Sequence, residues 1–170
     1  MRSVITENQK ETKKIAGELA KKLIRKKPEK ALVIALSGEL GSGKTTFVSG
    51  FSKILGVNEK ILSPTFIIMH KHELNPGKKP NSDSATSRKR LGGTFDEQHK
   101  TYKFLYHIDA YRLENKNDLL KLGVKKLFYN PENIVMIEWA DKVKKIIPKR
   151  TVWIYFKHSG KNKRTINYHL

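Results

Sequence analysis

The chain has 170 residues, the size of one domain with room for a sizeable core. It has no cysteine, which excludes disulfide frameworks, cysteine-held metals and thiol catalysis. Its 35 Lys+Arg against 16 Asp+Glu give a net charge of +19, a balance that attracts phosphate backbones and acidic proteins, although solvated lysines on ordinary helix faces explain it equally well. Nine basic residues and no acidic one lie between Lys142 and Arg164. No run approaches the ~18 consecutive apolar residues of a membrane span, and the first ten residues lack the apolar stretch of a signal peptide. The expectation is a cytoplasmic protein with no membrane association.

Residues 6–23 carry Ile15, Leu19 and Leu23 at helical spacing with a lysine-rich opposite face, which predicts a helix. Thr6 or Asn8 is its candidate cap, and the Thr6 to Gln9 tetrapeptide has capping-box form. Pro28 ends it. The apolar, β-branched run from Ala31 to Ser37 predicts a buried strand. Residues 46–55 return to helical spacing, and Gly56 is a stop. Residues 61–72 predict a turn leading into a strand, and residues 103–110 a second strand that ends near Asp109.

Residues 113–127 predict a helical stretch interrupted at Gly123, with Asn117 or Asp118 near its start, and residues 133–139 a short buried strand closing on Glu138. A basic helix precedes Pro148; residues 151–157 and 164–169 follow as strands around a turn at Gly160. Between the strands, residues 73–101 are rich in Pro, Gly, Ser, Asn and Lys and predict a long flexible basic insertion. Its Arg88-Lys89-Arg90 cluster is a solvated charge run by this reading, with RNA contact as the other. The whole predicts one α/β domain. Its fold is P-loop NTPase-like: a central mixed sheet flanked by helices, with antiparallel C-terminal strands.

The chemistry concentrates between the first buried strand and its helix. Gly38-Glu39-Leu40-Gly41-Ser42-Gly43-Lys44-Thr45 is G-x-x-x-x-G-K-[ST], the phosphate-binding P-loop. Its glycines let successive N–H groups turn toward phosphates. Lys44 is placed to reach the β- and γ-phosphates, and the Thr45 hydroxyl to ligate Mg²⁺. The pattern predicts ATP and Mg²⁺ as ligands. A metal held this way needs a carboxylate at the end of a neighbouring strand, and Asp109 and Glu138 are both candidates. Which of them holds the ion and which positions water stays open at this level. In Ser63-Pro64-Thr65 the Thr65 hydroxyl is either a γ-phosphate sensor or a structural group. His70 and His72 share a strand face, with His107 on a later strand, and are read as strand-end histidines without a metal.

Four ordered motifs together carry a family resemblance: the P-loop extended through Thr46 and Phe47, Ser63-Pro64-Thr65-Phe66, His107-Ile108-Asp109-Ala110-Tyr111-Arg112-Leu113, and Ile137-Glu138-Trp139. The chain resembles the TsaE (YjeE) family over most of residues 1–72 and 102–170. That family supplies the ATPase subunit of the bacterial machinery that makes threonylcarbamoyladenosine in tRNA. The resemblance implies that the P-loop with Thr45 and Thr46 holds the phosphates, and that Thr45 and Glu138 hold Mg²⁺. It implies that Asp109 acts near the metal and water, that Thr65 lies in a switch-like segment, and that Trp139 matters beside the metal ligand. Asn8, Thr12, Gly160 and Lys161 would flank the adenine. The implied partners are TsaD, which transfers threonylcarbamoyl to the adenosine beside the anticodon, and TsaB, with tRNA as the ultimate substrate and ATP hydrolysis supporting repeated turnover. Two departures stand out: Ala110 where the family usually has leucine, and the long insertion at 73–101.

Three rival readings follow from the residues. A small P-loop kinase of a nucleoside or metabolite fits the size, but no arginine-rich lid is visible. A GTPase would use Asn115-Lys116-Asn117-Asp118 to read guanine, yet this tetrapeptide sits at a polar helix start and fits capping better. A nucleotide-gated docking module, slow alone and stimulated by partners, overlaps with the family reading.

Overall fold

The computed structural model describes residues 1–25, 29–57, 59–74 and 101–170. The elements, in chain order, are β1 (Arg2–Thr6), α1 (Gln9–Leu23), β2 (Leu32–Ser37), α2 (Lys44–Ile54), β3 (Met69–Glu73), β4 (Phe104–Asp109), α3 (Lys116–Lys121), α4 (Val124–Tyr129), β5 (Asn133–Glu138), a 3₁₀ segment (Ala140–Ile146), β6 (Val152–His158) and β7 (Arg164–Tyr168). The strands form one seven-stranded mixed sheet in the order β1-β7-β6-β2-β5-β4-β3. The central four, β6, β2, β5 and β4, run parallel, while β3 and β7 pair antiparallel to β4 and β6, and β1 pairs antiparallel to β7. This is the expected α/β sheet with antiparallel C-terminal strands. Among the described residues no helix is long and apolar enough to cross a membrane.

The buried strands are apolar on both faces because helices cover both sides. Successive side chains alternate faces. Ile34 and Leu36 of β2, with Ile134 and Met136 of β5, pack against Leu19 of α1 and Phe47 and Phe51 of α2. Val33, Ala35, Val135 and Ile137 point the other way, toward Leu119, Val124, Phe128 and Ala140. Helices α1 and α2 approach so closely that a Cβ added at Gly50 would lie 2.6 Å from the Lys13 Cα and carbonyl oxygen.

Several expectations are corrected at their edges. The helix predicted over 6–23 begins at Gln9, because residues 2–6 pair with the last strand. Asn8 is its cap: the Asn8 Oδ1 accepts from the Glu11 N–H at 3.0 Å, and the Glu11 Oε2 accepts from the Glu7 N–H at 2.8 Å. The capping box at Thr6 does not form; Thr6 Oγ1 meets Thr12 Oγ1 at 2.9 Å instead. The helix predicted over 46–55 starts two residues earlier, inside the P-loop. The 113–127 stretch is two short helices divided at Gly123, whose φ of 72° a glycine adopts without strain. Asn115 and Asp118 form a capping box, the capping chemistry expected of that tetrapeptide. The basic helix before Pro148 is a kinked 3₁₀ segment. Glu73, expected to begin the insertion, pairs with Phe104 as the last residue of β3. Pro28, the Arg88-Lys89-Arg90 cluster and most of the insertion lie outside the described residues.

Candidate nucleotide-binding site

Parallel strands place their carboxyl ends together, and the sheet does so for three of them. In register, Leu36 of β2 pairs with Glu138 of β5, and Glu138 pairs with Asp109 of β4. The P-loop leaves the end of β2 at the same edge. Its turn depends on glycine: Gly38, Gly41 and Gly43 have φ of 147°, 71° and 101°. At Gly38 a Cβ would lie 2.5 Å from the Phe156 carbonyl oxygen, so no side chain fits there. Among the described residues no side chain caps the first turn of α2, which leaves its N–H groups turned toward the loop, the arrangement that binds anions.

Lys44 is buried, and its ammonium donates to the carbonyls of Gly38 at 2.6 Å and Glu39 at 2.8 Å. The same ammonium stands 3.9 Å from the centre of the Trp139 ring, a cation–π contact. Burial draws the Lys44 amine below its ordinary range, while Glu138, Asp109 and Asp141 pull it back up. Trp139 sits in the left-handed region with φ of 56°, a conformation costing a bulky residue roughly 1–2 kcal/mol, and its ring packs on Tyr111 at 5.0 Å.

The two acids have different surroundings. Glu138 is buried; its Oε2 accepts from the Thr45 hydroxyl at 2.9 Å and its Oε1 from His107 Nε2 at 2.8 Å. Because a carboxylate only accepts, the His107 proton sits on Nε2, leaving Nδ1 buried with no hydrogen-bond partner among the described residues. Asp109 Oδ2 accepts from the hydroxyls of both Ser63 and Thr65, the latter at 2.5 Å, and Oδ1 accepts from the Tyr111 N–H at 2.9 Å. The segment before β3 is thereby tied to the end of β4. Its exposed Phe66 lies under the Arg112 guanidinium at 4.3 Å.

On the other flank, the β6–β7 hairpin grips the loop. Arg164 donates through two nitrogens to the Gly41 carbonyl at 3.2 and 3.1 Å, and His158 Nε2 contacts the Leu40 carbonyl at 3.0 Å. A cavity of about 240 Å³ opens between the P-loop and α1, lined by Asn8, Thr12, Gly41, Gly43, Thr46 and Arg164 among others.

Comparison with known proteins fixes the lineage of this arrangement. The family model described as "Threonylcarbamoyl adenosine biosynthesis protein TsaE" matches residues 6–81 and 93–166. The chain belongs to the TsaE family. A TsaE of Bacillus subtilis, named as a tRNA threonylcarbamoyladenosine biosynthesis protein, is 31% identical over 96% of this chain and 82% of its own length. The like-named protein of Treponema pallidum is 32% identical over 74% of this chain and 73% of its own. The crystal structure of Bacillus subtilis YdiB superposes with a TM-score of 0.65 at 27% identity, over 98% of this chain and 83% of that one.

Within this TsaE-family chain, the structure gathers Gly38, Glu39, Leu40, Gly41, Ser42, Gly43, Lys44, Thr45, Thr46, Asp109, Glu138 and Trp139 around one end of the sheet, with Thr65 reaching it through Asp109. Asn8 and Thr12 line the adjoining cavity. Gly160 and Lys161 occupy the hairpin turn, but the side that faces this cavity carries Asn162 and Arg164. Ser63, His107, His158, Asn162 and Arg164 were not read individually from the sequence as site members. Ser63 and His107 lie inside motifs already quoted. His158 and Arg164 carried no signal beyond their place in a basic stretch.

Proposed function

We propose that this chain is a Mg²⁺-dependent ATPase that works in the cytoplasm with TsaD and TsaB in forming threonylcarbamoyladenosine on tRNA. The observation that carries the reading is the Thr45–Glu138 hydrogen bond, which joins the P-loop hydroxyl to a strand-end carboxylate. The residues fit the ligands. Thr45, Glu138 and Asp109 offer only oxygen, the donor set of Mg²⁺, and the positive-φ glycines of the loop turn backbone N–H groups toward the place a phosphate would take.

Bound Mg²⁺ would neutralise charge on the β- and γ-phosphates. The chain's own residues do the rest. Lys44 exchanges the carbonyls of Gly38 and Glu39 for phosphate oxygens, which restores a partner of full negative charge to a buried amine. Thr45 and Glu138 hold the metal, with His107 fixing the carboxylate's orientation. Asp109 lies one strand over and orients water or shares the metal. The Thr65 hydroxyl, now on Asp109, is free to turn to the γ-phosphate and so links the 61–68 segment to nucleotide state. The base enters the cavity beside Asn8 and Thr12. The relatives' names support the tRNA pathway, and a γ-phosphate-sensing segment suits a subunit whose hydrolysis resets a complex.

The test is phosphate release and thermal shift with ATP or GTP, with and without Mg²⁺, and with TsaD and TsaB added. The expected result is a Mg²⁺-dependent shift with ATP, slow release alone, faster release with partners, and loss of release in Lys44→Ala. Preference for GTP, unchanged release in that variant, or a phosphorylated metabolite as product would overturn the proposal.

A further inference from the structure

Edge strand β3 carries a second group of ligating side chains, apart from the P-loop. His70 and His72 lie on one face of the strand, with His70 in register opposite His107 of β4. His72 is buried and His70 is exposed at the sheet's edge. The Glu59 carboxylate accepts from His72 Nδ1. His72 Nε2 and His70 Nδ1 are 3.1 Å apart, with the two rings at 80°. One ligand atom from each of the three residues fits within 4.8 Å of the others.

The proton inventory defines what this cluster offers. Glu59 fixes the His72 proton on Nδ1, so Nε2 presents a bare lone pair. That lone pair is met by the Nδ1–H of His70, the one proton between the two rings. Two nitrogens bound about 2.0–2.1 Å from a tetrahedral ion stand about 3.3–3.4 Å apart, close to the separation already present. Moving the His70 proton to its other ring nitrogen frees Nδ1, with no net proton released. A carboxylate on the far nitrogen of a ligating histidine is the support such ligands normally have.

We propose that His70 Nδ1 and His72 Nε2 bind a divalent cation of the zinc class, with Glu59 orienting His72 and water filling the open positions. Imidazole nitrogen selects Zn²⁺ and its neighbours over Mg²⁺, so the site is chemically distinct from the all-oxygen set at Thr45 and Glu138. Its position has a consequence. Glu59 precedes the segment that carries Ser63 and Thr65, and His70 and His72 follow it. The Glu59–His72 bond joins the two ends of the segment whose hydroxyls hold Asp109, and a cation on His72 Nε2 makes its Nδ1–H a stronger donor and tightens that clasp. The site stands whether or not the P-loop carries ATP.

The test titrates Zn²⁺ into the full metal-free chain in excess Mg²⁺, by calorimetry and by hydrogen exchange. Saturable binding at a single site is expected, with slower exchange across residues 61–68. His70→Ala, an exposed change, should weaken binding at least tenfold while keeping the apo melting curve. Glu59→Gln should weaken it about 10–100-fold, and His169→Ala should leave it unchanged. No saturable binding, or wild-type affinity in His70→Ala, overturns the site. Wild-type affinity in Glu59→Gln removes Glu59 from it, and unchanged exchange across 61–68 refutes the clasp.

Discussion

Gly50 and Gly17 both lie in helices at the α1–α2 contact, and alanine at each should act in opposite directions. In a helix interior alanine gains about 1 kcal/mol over glycine. At Gly50 the new Cβ would stand 2.6 Å from the backbone of Lys13 and 3.0 Å from Ala16 Cβ. Carbon atoms rest at about 3.5–4.0 Å, so the helices must part by roughly 1 Å. Backbone does not yield as a side chain does, and overpacking of this kind costs about 1–3 kcal/mol, at its upper end here. The net is a loss of about 1–2 kcal/mol, or roughly 2–8 °C in melting temperature for a chain of this size. At Gly17 the nearest atoms, 3.3 and 3.4 Å away, belong to the end of the Ile54 side chain, which can rotate. There the helical gain survives, and Gly17→Ala should melt at or above the parent temperature. Because α1 carries Asn8 and Thr12 into the cavity beside the P-loop, Gly50→Ala should also weaken ATP binding, whereas Gly17→Ala should not. Thermal melts and nucleotide titrations of the two variants suffice. A Gly50→Ala chain as stable as Gly17→Ala would refute the claim that backbone contact at Gly50 sets the helix spacing.

Two other substitutions probe the two flanks of the site. Asp109→Asn weakens the hold on the Ser63 and Thr65 hydroxyls; hydrogen exchange over 61–68 should rise and ATP turnover fall, with the melting temperature moving little, and unchanged exchange would separate that segment from Asp109. Arg164→Ala removes two charge-assisted bonds to the Gly41 carbonyl in an exposed setting; discounting for solvent, about 1 kcal/mol or roughly fivefold in ATP affinity should be lost. Equal affinity in titrations would show that the hairpin does not support the loop.

The parts of this fold that were legible in the sequence are those whose forces act locally. The run from Ala31 to Ser37 is apolar and β-branched whatever surrounds it, and the P-loop glycines announce a turn on their own. Asp109 and Glu138 were readable as strand-end acids because their strands are short and buried. Residues 2–5 were given no element and Thr6 was joined to the helix, because nothing local marks them as a strand: their pairing is with β7, more than 150 residues away. Arg164 and His158 were missed for the same reason, since their acceptors are the carbonyls of Gly41 and Leu40. His107 sits in a quoted motif, but its bond to Glu138 depends on a register between β4 and β5 that sequence alone does not display.

The grip of the β6–β7 hairpin on the P-loop has a consequence for the order of events during synthesis. The loop, its helix and both acids have all been made by residue 138, yet Arg164 reaches the Gly41 carbonyl only from β7, and β1 finds its sheet neighbour only there. A ribosome-bound chain stopped before residue 164 holds the whole P-loop and both strand-end acids without the strand that braces the loop. On the proposed ATPase reading, full nucleotide affinity would be reached only once β7 has been translated.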